Sequence, residues 1–378
     1  MRVESHVLFD RFQAALAREP EASIVDSLAE SPHLGDFLNQ LDAGMSLDWS
    51  GRSFQGLPEL RENILCRSGC AGACDAEDIL VTAGTAEANF LAIAQQVEAG
   101  DELIVDVPGW PQPQVLAEGI GASLKQLPRD ESRGWAVDVE QLRELVTART
   151  RMIFICNPNN PTGNLMGEAE LLEVIAIADR VGAYVLTDEV YRGLEWGDGS
   201  TPSAAALYER GISTGSVSKV LGLQGLRTGW LICRDRAVIR DAVVLREDTS
   251  EIMNVMGEAI ASIALSDDWY GPAIARAREA GRRNLDRLED FISDCPLLSW
   301  QRPAAGLIGF ARLHSTLDAD AFSERLLGAP YRTFVMPGSA YDHPGHLRLG
   351  GGGGAAGLDQ GLERLGTFVH DHPGIRLP

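Results

Sequence analysis

Lys219 lies in STGSVSKVLGLQGLRTGW, residues 213 to 230, among small and hydroxyl residues, with Arg227 eight positions later. A lysine amine has an ordinary pKa of about 10.4 and is protonated at neutral pH, so it attacks a carbonyl only when desolvated or set near positive charge. Ser216, Ser218, Gly222 and Gly225 leave room for a ring beside it. Arg227 supplies a planar cation whose geometry suits a phosphate monoester better than an ammonium does. The chemistry implied is nucleophilic capture of an aldehyde cofactor that carries a phosphate.

Two upstream segments join it. In RMIFICNPNNPTGN, residues 151 to 164, an apolar strand runs into a dense turn signal that contains Asn160. In AYVLTDEVYRGL a second buried strand ends in Asp188, Glu189 and Tyr191, where a carboxylate and a phenol can approach one planar ligand from two sides. Strand ends of this kind are where α/β sheets gather ligand contacts. Taken singly, each residue also has a plain structural reading. Lys219 fits a solvated surface group, Asp188 a helix N-cap, Tyr191 a core aromatic and Asn160 a turn terminator.

The elements that must position these groups alternate. Strand candidates at 78–82, 102–106, 151–157, 183–188, 211–215 and 229–233 are separated by helical patterns such as GEAELLEVIAIADRVG. This indicates a mostly parallel sheet covered by helices on both faces. Residues 270–292 read as one long amphipathic helix, after which LIGFARL, TFVMPG and HLRLG form short strands of a smaller α+β unit. The expected division is a large domain over 41–290 and a small one made of 1–40 with 291–378.

In this order, the segments resemble the fold type I pyridoxal phosphate enzymes, specifically the class I/II aminotransferases, from FQGLPELR to HLRLG. The resemblance implies an α/β fold with a mostly parallel sheet of the seven-stranded type, a homodimer, and pyridoxal 5'-phosphate held as a Schiff base on Lys219. It implies that Asp188 pairs with the pyridine nitrogen and that Asn160 and Tyr191 bond the ring's phenolic oxygen. Ser216, Ser218 and Arg227 then contribute to the phosphate cup. So does the VTAGTAEAN turn, through Gly84, Thr85 and Ala86, where a helix N-terminus favours an anion. Trp110 would stack on the ring, and Arg348 would grip the substrate α-carboxylate as a bidentate fork. The implied reaction is transfer of an amino group from an L-amino acid to a 2-oxo acid. One departure stands out: Gly51 occupies a position where the family often has a tyrosine, so that either Trp49, Arg52 or Ser53 replaces its contact or the pocket is opened there for an unusual substrate.

With 378 residues and 45% apolar content, the chain can bury a large core. Six cysteines without an even framework suggest a reducing, cytoplasmic setting, and no stretch of about 18 apolar residues appears. A net charge of −21 argues against nucleic acid as a partner but permits a small anion held by local arginines. Cys66, Cys70 and Cys74 fit no standard metal pattern and read as a loop. Gly352, Gly354 and Gly357 mimic a dinucleotide fingerprint, but too little chain follows, so a flexible loop is expected. The nearest rival to transamination is a lyase or cyclase using the same cofactor, of the capreomycidine synthase kind. A non-catalytic module on this fold is disfavoured by the intact lysine, aspartate and tyrosine set.

Overall fold

The computed structural model describes residues 2–49 and 53–376. Its central sheet has eight strands: β1 (Ile79–Thr82), β2 (Glu102–Val107), β3 (Ser123–Asp130), β4 (Ala136–Val137), β5 (Thr150–Cys156), β6 (Tyr184–Asp188), β7 (Gly211–Ser216) and β8 (Gly229–Cys233). Their spatial order is β1-β8-β7-β6-β5-β2-β3-β4. All run parallel except β8, antiparallel to both of its neighbours, and the two-residue β4 at the far edge. The six strands expected from apolar runs all form. The other two are missing from that expectation: β3 because SLKQLPRD is polar and only partly buried, so it carries no apolar run, and β4 because it has only two residues.

Period-two alternation sends the strand side chains to two cores. Phe154, Leu186, Ile212 and Leu231 pack against the helices Thr85–Gln96 and Arg236–Glu247. Ile153, Ile155 and Val185 pack on the other face against Leu171, Val174 and Ile175 of the helix Glu168–Asp179. The long helix runs Asp267–Asp294, about 42 Å at 1.5 Å per residue. Its first half places Ala273 and Ile274 in the large-sheet core, and its second half places Leu285, Leu288 and Ile292 in the core of the small unit. The boundary expected at 290 thus falls inside a helix that serves both.

The small unit is a four-stranded antiparallel sheet ordered β9 (Leu298–Ser299), β10 (Ile308–Leu313), β12 (His346–Gly350) and β11 (Met336–Pro337). TFVMPG proves to be two strands: Thr333–Phe334 pairs in parallel with Ala22–Ser23, and Met336–Pro337 pairs with β12. The N-terminal segment is shared. Ile24 packs in the small core, while Ala29 and Phe37 pack beneath the large sheet.

The glycine run after β12 is an ordered, close-packed loop, which corrects the expected flexible one. Gly350, Gly352 and Gly353 donate their amides to the carbonyls of Ile24, Asp26 and Leu28 at 3.0, 3.0 and 2.8 Å. A Cβ on Gly352 would stand 2.5 Å from the Leu28 carbonyl oxygen, so only glycine permits this backbone approach. The cysteine segment departs from expectation in one detail: Cys66 still belongs to the helix Pro58–Arg67, with Cys70 and Cys74 in the loop beyond it. Gly51 and Arg52 lie outside the described residues; Trp49 packs its ring 4.6 Å from that of Phe54.

Gly352→Ala forces backbone against backbone and is expected to destabilise the protein by about 1–3 kcal/mol. Gly225→Ala, where a Cβ meets nothing within 4 Å, leaves thermal unfolding close to wild type and serves as the comparison.

Candidate active site

The carboxyl ends of the parallel strands converge on one cavity of about 610 Å³, within the range of small-molecule sites. β5 delivers Cys156 and Asn160, β6 delivers Asp188 and Tyr191, β7 delivers Ser216, Ser218 and Lys219, and the turn after β1 delivers Thr85 and Ala86. Trp110 follows β2, Arg227 precedes β8, and Arg348 enters from β12 of the small sheet. Of the residues assigned to cofactor or substrate, Gly84 alone is absent from the cavity wall; Glu189, which pairs with Arg192, is absent too, and so are Gly222 and Gly225, the former making room for the backbone of Ala29 and Glu30 and not for a ring.

Lys219 is the chemical centre. Its Nζ donates to Ser27 Oγ at 3.0 Å. Its pKa falls from 10.5 to about 8, chiefly because burial penalises the ammonium and then because Arg348 lies nearby, with Asp26 and Asp188 opposing the shift. Asp188 is buried, and burial pushes its carboxyl up to about 6. That rise is restrained by the Asn89 amide, which donates to Oδ2 at 2.9 Å, and by the Val190 amide, which donates to Oδ1 at 3.2 Å. Burial likewise raises the Tyr191 phenol, and the Ser27 hydroxyl within its reach partly offsets this.

At the anion end, Gly84 has φ of +86°, and a Cβ there would stand 2.4 Å from Arg227 Nη2. Its part is therefore to admit the guanidinium, which donates to the Ala83 carbonyl at 3.1 Å. Arg227 itself adopts the left-handed region, φ 50°. The Thr85 hydroxyl is buried without a hydrogen-bond partner beside this arginine's turn, and Ser216 Oγ accepts from the Ser218 amide at 3.2 Å. A buried hydroxyl left unpaired at a helix N-terminus next to a guanidinium fits a phosphate group. Trp110 is half-buried on the cavity wall and donates through Nε1 to Gln112 Oε1 at 3.2 Å.

Across the cavity, Arg348 is buried. It donates to Asn160 Oδ1 at 3.3 Å and to the Val25 carbonyl at 3.0 Å, and its Nε has no partner. Tyr341 also donates to Asn160 Oδ1 at 3.3 Å. A buried guanidinium with an unsatisfied N–H beside a cavity fits a carboxylate ligand.

Residues 50–365 match the family model described as aminotransferase class I and II. The chain belongs to that family. This class I and II aminotransferase is 30% identical over 302 residues to the capreomycidine synthase of Streptomyces vinaceus, covering 77% of this chain and 75% of that one. It is 29% identical to an aspartate aminotransferase of Streptomyces avermitilis, covering 84% and 80%. A solved PLP-dependent aminotransferase from Streptococcus suis superposes with a TM-score of 0.90 at 29% identity over 98% of this chain and 99% of that one.

Among the side chains that contact Lys219 and Asp188 in this cavity, Ser27 and Asn89 escaped the sequence reading. Ser27 stands 192 residues from Lys219, and no spacing links them. Asn89 lay within VTAGTAEAN but was given no role; its one signal is a fully buried amide among Ala88, Leu91, Ala92 and Ile93 on a mostly apolar helix face. Thr214 Oγ1 donates to Asn89 Oδ1 at 2.8 Å, which turns the amide NH2 towards Asp188.

Asn89→Leu removes the side-chain donor that holds the Asp188 anion, so its carboxyl titrates above the present value of about 6, read by carbon-13 NMR of labelled aspartate. Lys219→Met tests the buried amine in the cofactor-free protein. The folded pKa lies below the unfolded one, so the lysine's destabilising effect is fully present below pH 8 and fades as pH rises towards 10.5. The substitution is expected to stabilise by at most about 3 kcal/mol at pH 7, with the gain vanishing near pH 10.5, followed by denaturant unfolding across pH.

Proposed function

We propose that this protein binds pyridoxal 5'-phosphate at Lys219 and moves an amino group from an L-amino acid to a 2-oxo acid. The observation that carries the reading is a lysine amine depressed to about 8 in the same cavity as a buried carboxylate and a buried arginine with a free N–H. When bound, the cofactor supplies an aldehyde for amines and a cationic ring that draws electrons from the substrate's α-carbon.

The chain's own residues then divide the work. Thr85, Ala86, Ser216, Ser218 and Arg227 hold the phosphate, with Gly84 giving Arg227 its space. Trp110 lies against the ring, and Asn160 and Tyr191 bond its phenolic oxygen. Asp188 is an anion above pH of about 6, so at neutral pH it keeps the ring nitrogen protonated. Arg348, with Asn160 fixing its plane, holds the substrate carboxylate and so sets which α-carbon bond stands perpendicular to the ring. Lys219 Nζ, with its pKa close to neutrality, takes the α-proton and returns it; a base is most effective when its pKa lies near the working pH. Ser27 gives the amine a resting hydrogen bond between these transfers. The homodimer and the cytoplasmic location belong to the same proposal.

A second reading keeps this site but ends in elimination or ring closure, and the 30% identity to capreomycidine synthase favours it. In that case Lys219 takes the same proton and the electrons left at the α-carbon expel a β-substituent; loss from the γ-carbon requires a second proton to be taken from the β-carbon first.

Borohydride reduction of the holoenzyme followed by peptide mapping is expected to place a pyridoxyl adduct on Lys219. Lys219→Ala is expected to lower the half-reaction by at least about a thousandfold. An unmodified Lys219 peptide rejects the proposal. Conversion of the cofactor to its pyridoxamine form supports transamination, and product formation with the cofactor unchanged supports the second reading.

A further inference from the structure

Residues 25–27 present three successive groups to the cavity, and two are engaged by the chain itself. The Val25 carbonyl accepts from Arg348 Nη2 at 3.0 Å, and Ser27 Oγ accepts from Lys219 Nζ at 3.0 Å. Between them, Asp26 lines the cavity and is exposed; among the described residues its carboxylate has no hydrogen bond or ion pair within reach, and its charge acts on the Lys219 amine only from a distance, raising that pKa. Its position is fixed by the backbone, since its carbonyl accepts from the Gly352 amide at 3.0 Å. Gly353 leaves room for the carboxylate: a Cβ there would stand 2.8 Å from Oδ2.

The wall beyond Arg348 is apolar. The helix Val7–Leu16 turns Leu8, Phe9, Phe12 and Leu16 to the cavity, and the Phe12 ring centroid lies 6.0 Å from the Arg348 guanidinium carbon. Phe9 is 50% exposed and Leu16 67% exposed, so this aromatic and aliphatic face is open to a ligand. The cations on the described wall are Lys219, Arg227 and Arg348, each already placed at the amine, phosphate or carboxylate. Burial lowers the His6 pKa, which keeps that ring neutral. A substrate with a second carboxylate would find no free cation and would meet Asp26. A planar cation on an aliphatic stem would find aromatic faces along its length and, at its end, a carboxylate without a hydrogen-bond partner among the described residues.

We infer that the site takes an L-amino acid whose side chain ends in a cation, with Asp26 as its counter-ion and the Val7–Leu16 helix as the wall along its stem. The inference rests on the proposed pyridoxal phosphate chemistry.

The test titrates the holoenzyme with L-arginine, L-lysine, L-phenylalanine, L-aspartate and L-alanine, reading the cofactor spectrum for binding and the half-reaction or product for turnover. Arginine is expected to give the highest kcat/KM. The arginine-to-alanine ratio is expected to fall at least about tenfold in Asp26→Asn, a loss typical of a charged hydrogen bond. Phe9→Ala is expected to weaken arginine binding while folding normally, since the ring is half exposed. Preference for aspartate or phenylalanine, or an unchanged ratio in Asp26→Asn, overturns the inference and leaves the proposed function intact. If no amino acid perturbs the spectrum and borohydride leaves Lys219 unlabelled, the proposed function itself fails, and the inference with it.

Discussion

The site depends on keeping a lysine amine in a place where its charged form is disfavoured. Lys219 reaches a pKa near 8 because the cavity is closed on one side by the end of the parallel sheet and on the other by backbone from residues 24–29. The Ala29 amide donates to the Lys219 carbonyl at 2.8 Å, and Ser27 meets its amine. The glycine run behind that segment lets it lie flat against β12. Glycines that resemble a nucleotide-binding motif therefore act by removing side chains where two backbones must touch.

Opposite charges are arranged so that neither the amine nor the acid is extreme. Burial moves Asp188 up and Lys219 down, which draws both towards neutrality from opposite sides. Asn89 and the Val190 amide restrain the first shift, while Arg348 reinforces the second. In a chain of net charge −21, the arginines that line this cavity form a local exception to the overall field. Electrostatic behaviour at the site is therefore set within a few ångströms and not by the protein's total charge.

The two units share more structure than a division at residue 290 implies. One helix carries core residues of both, and the N-terminal segment threads from the small core through the cavity wall to the large one. Arg348 from the small sheet and Asn160 from the loop after β5 of the large one meet at 3.3 Å, so the proposed carboxylate site lies where the units touch. Movement of either unit would alter that contact directly.

Six of the large-sheet strands were legible because buried parallel strands are continuous apolar runs, and the turns after them carry dense Pro, Gly and Asn signals. Lys219, Asp188, Asn160 and Arg227 were legible as residue types at strand ends. β3 was not, since a strand of polar, partly exposed residues has no apolar run to detect. Neither the splitting of TFVMPG nor the places of Ser27, Asp26 and Asn89 on the cavity wall could be read from spacing. Sequence alone determined which side chains could do the chemistry, because reactivity follows residue type and local pattern. Tertiary structure decided which of them share a cavity and what their protonation is, because burial and long-range contacts arise only when segments 192 residues apart are packed together.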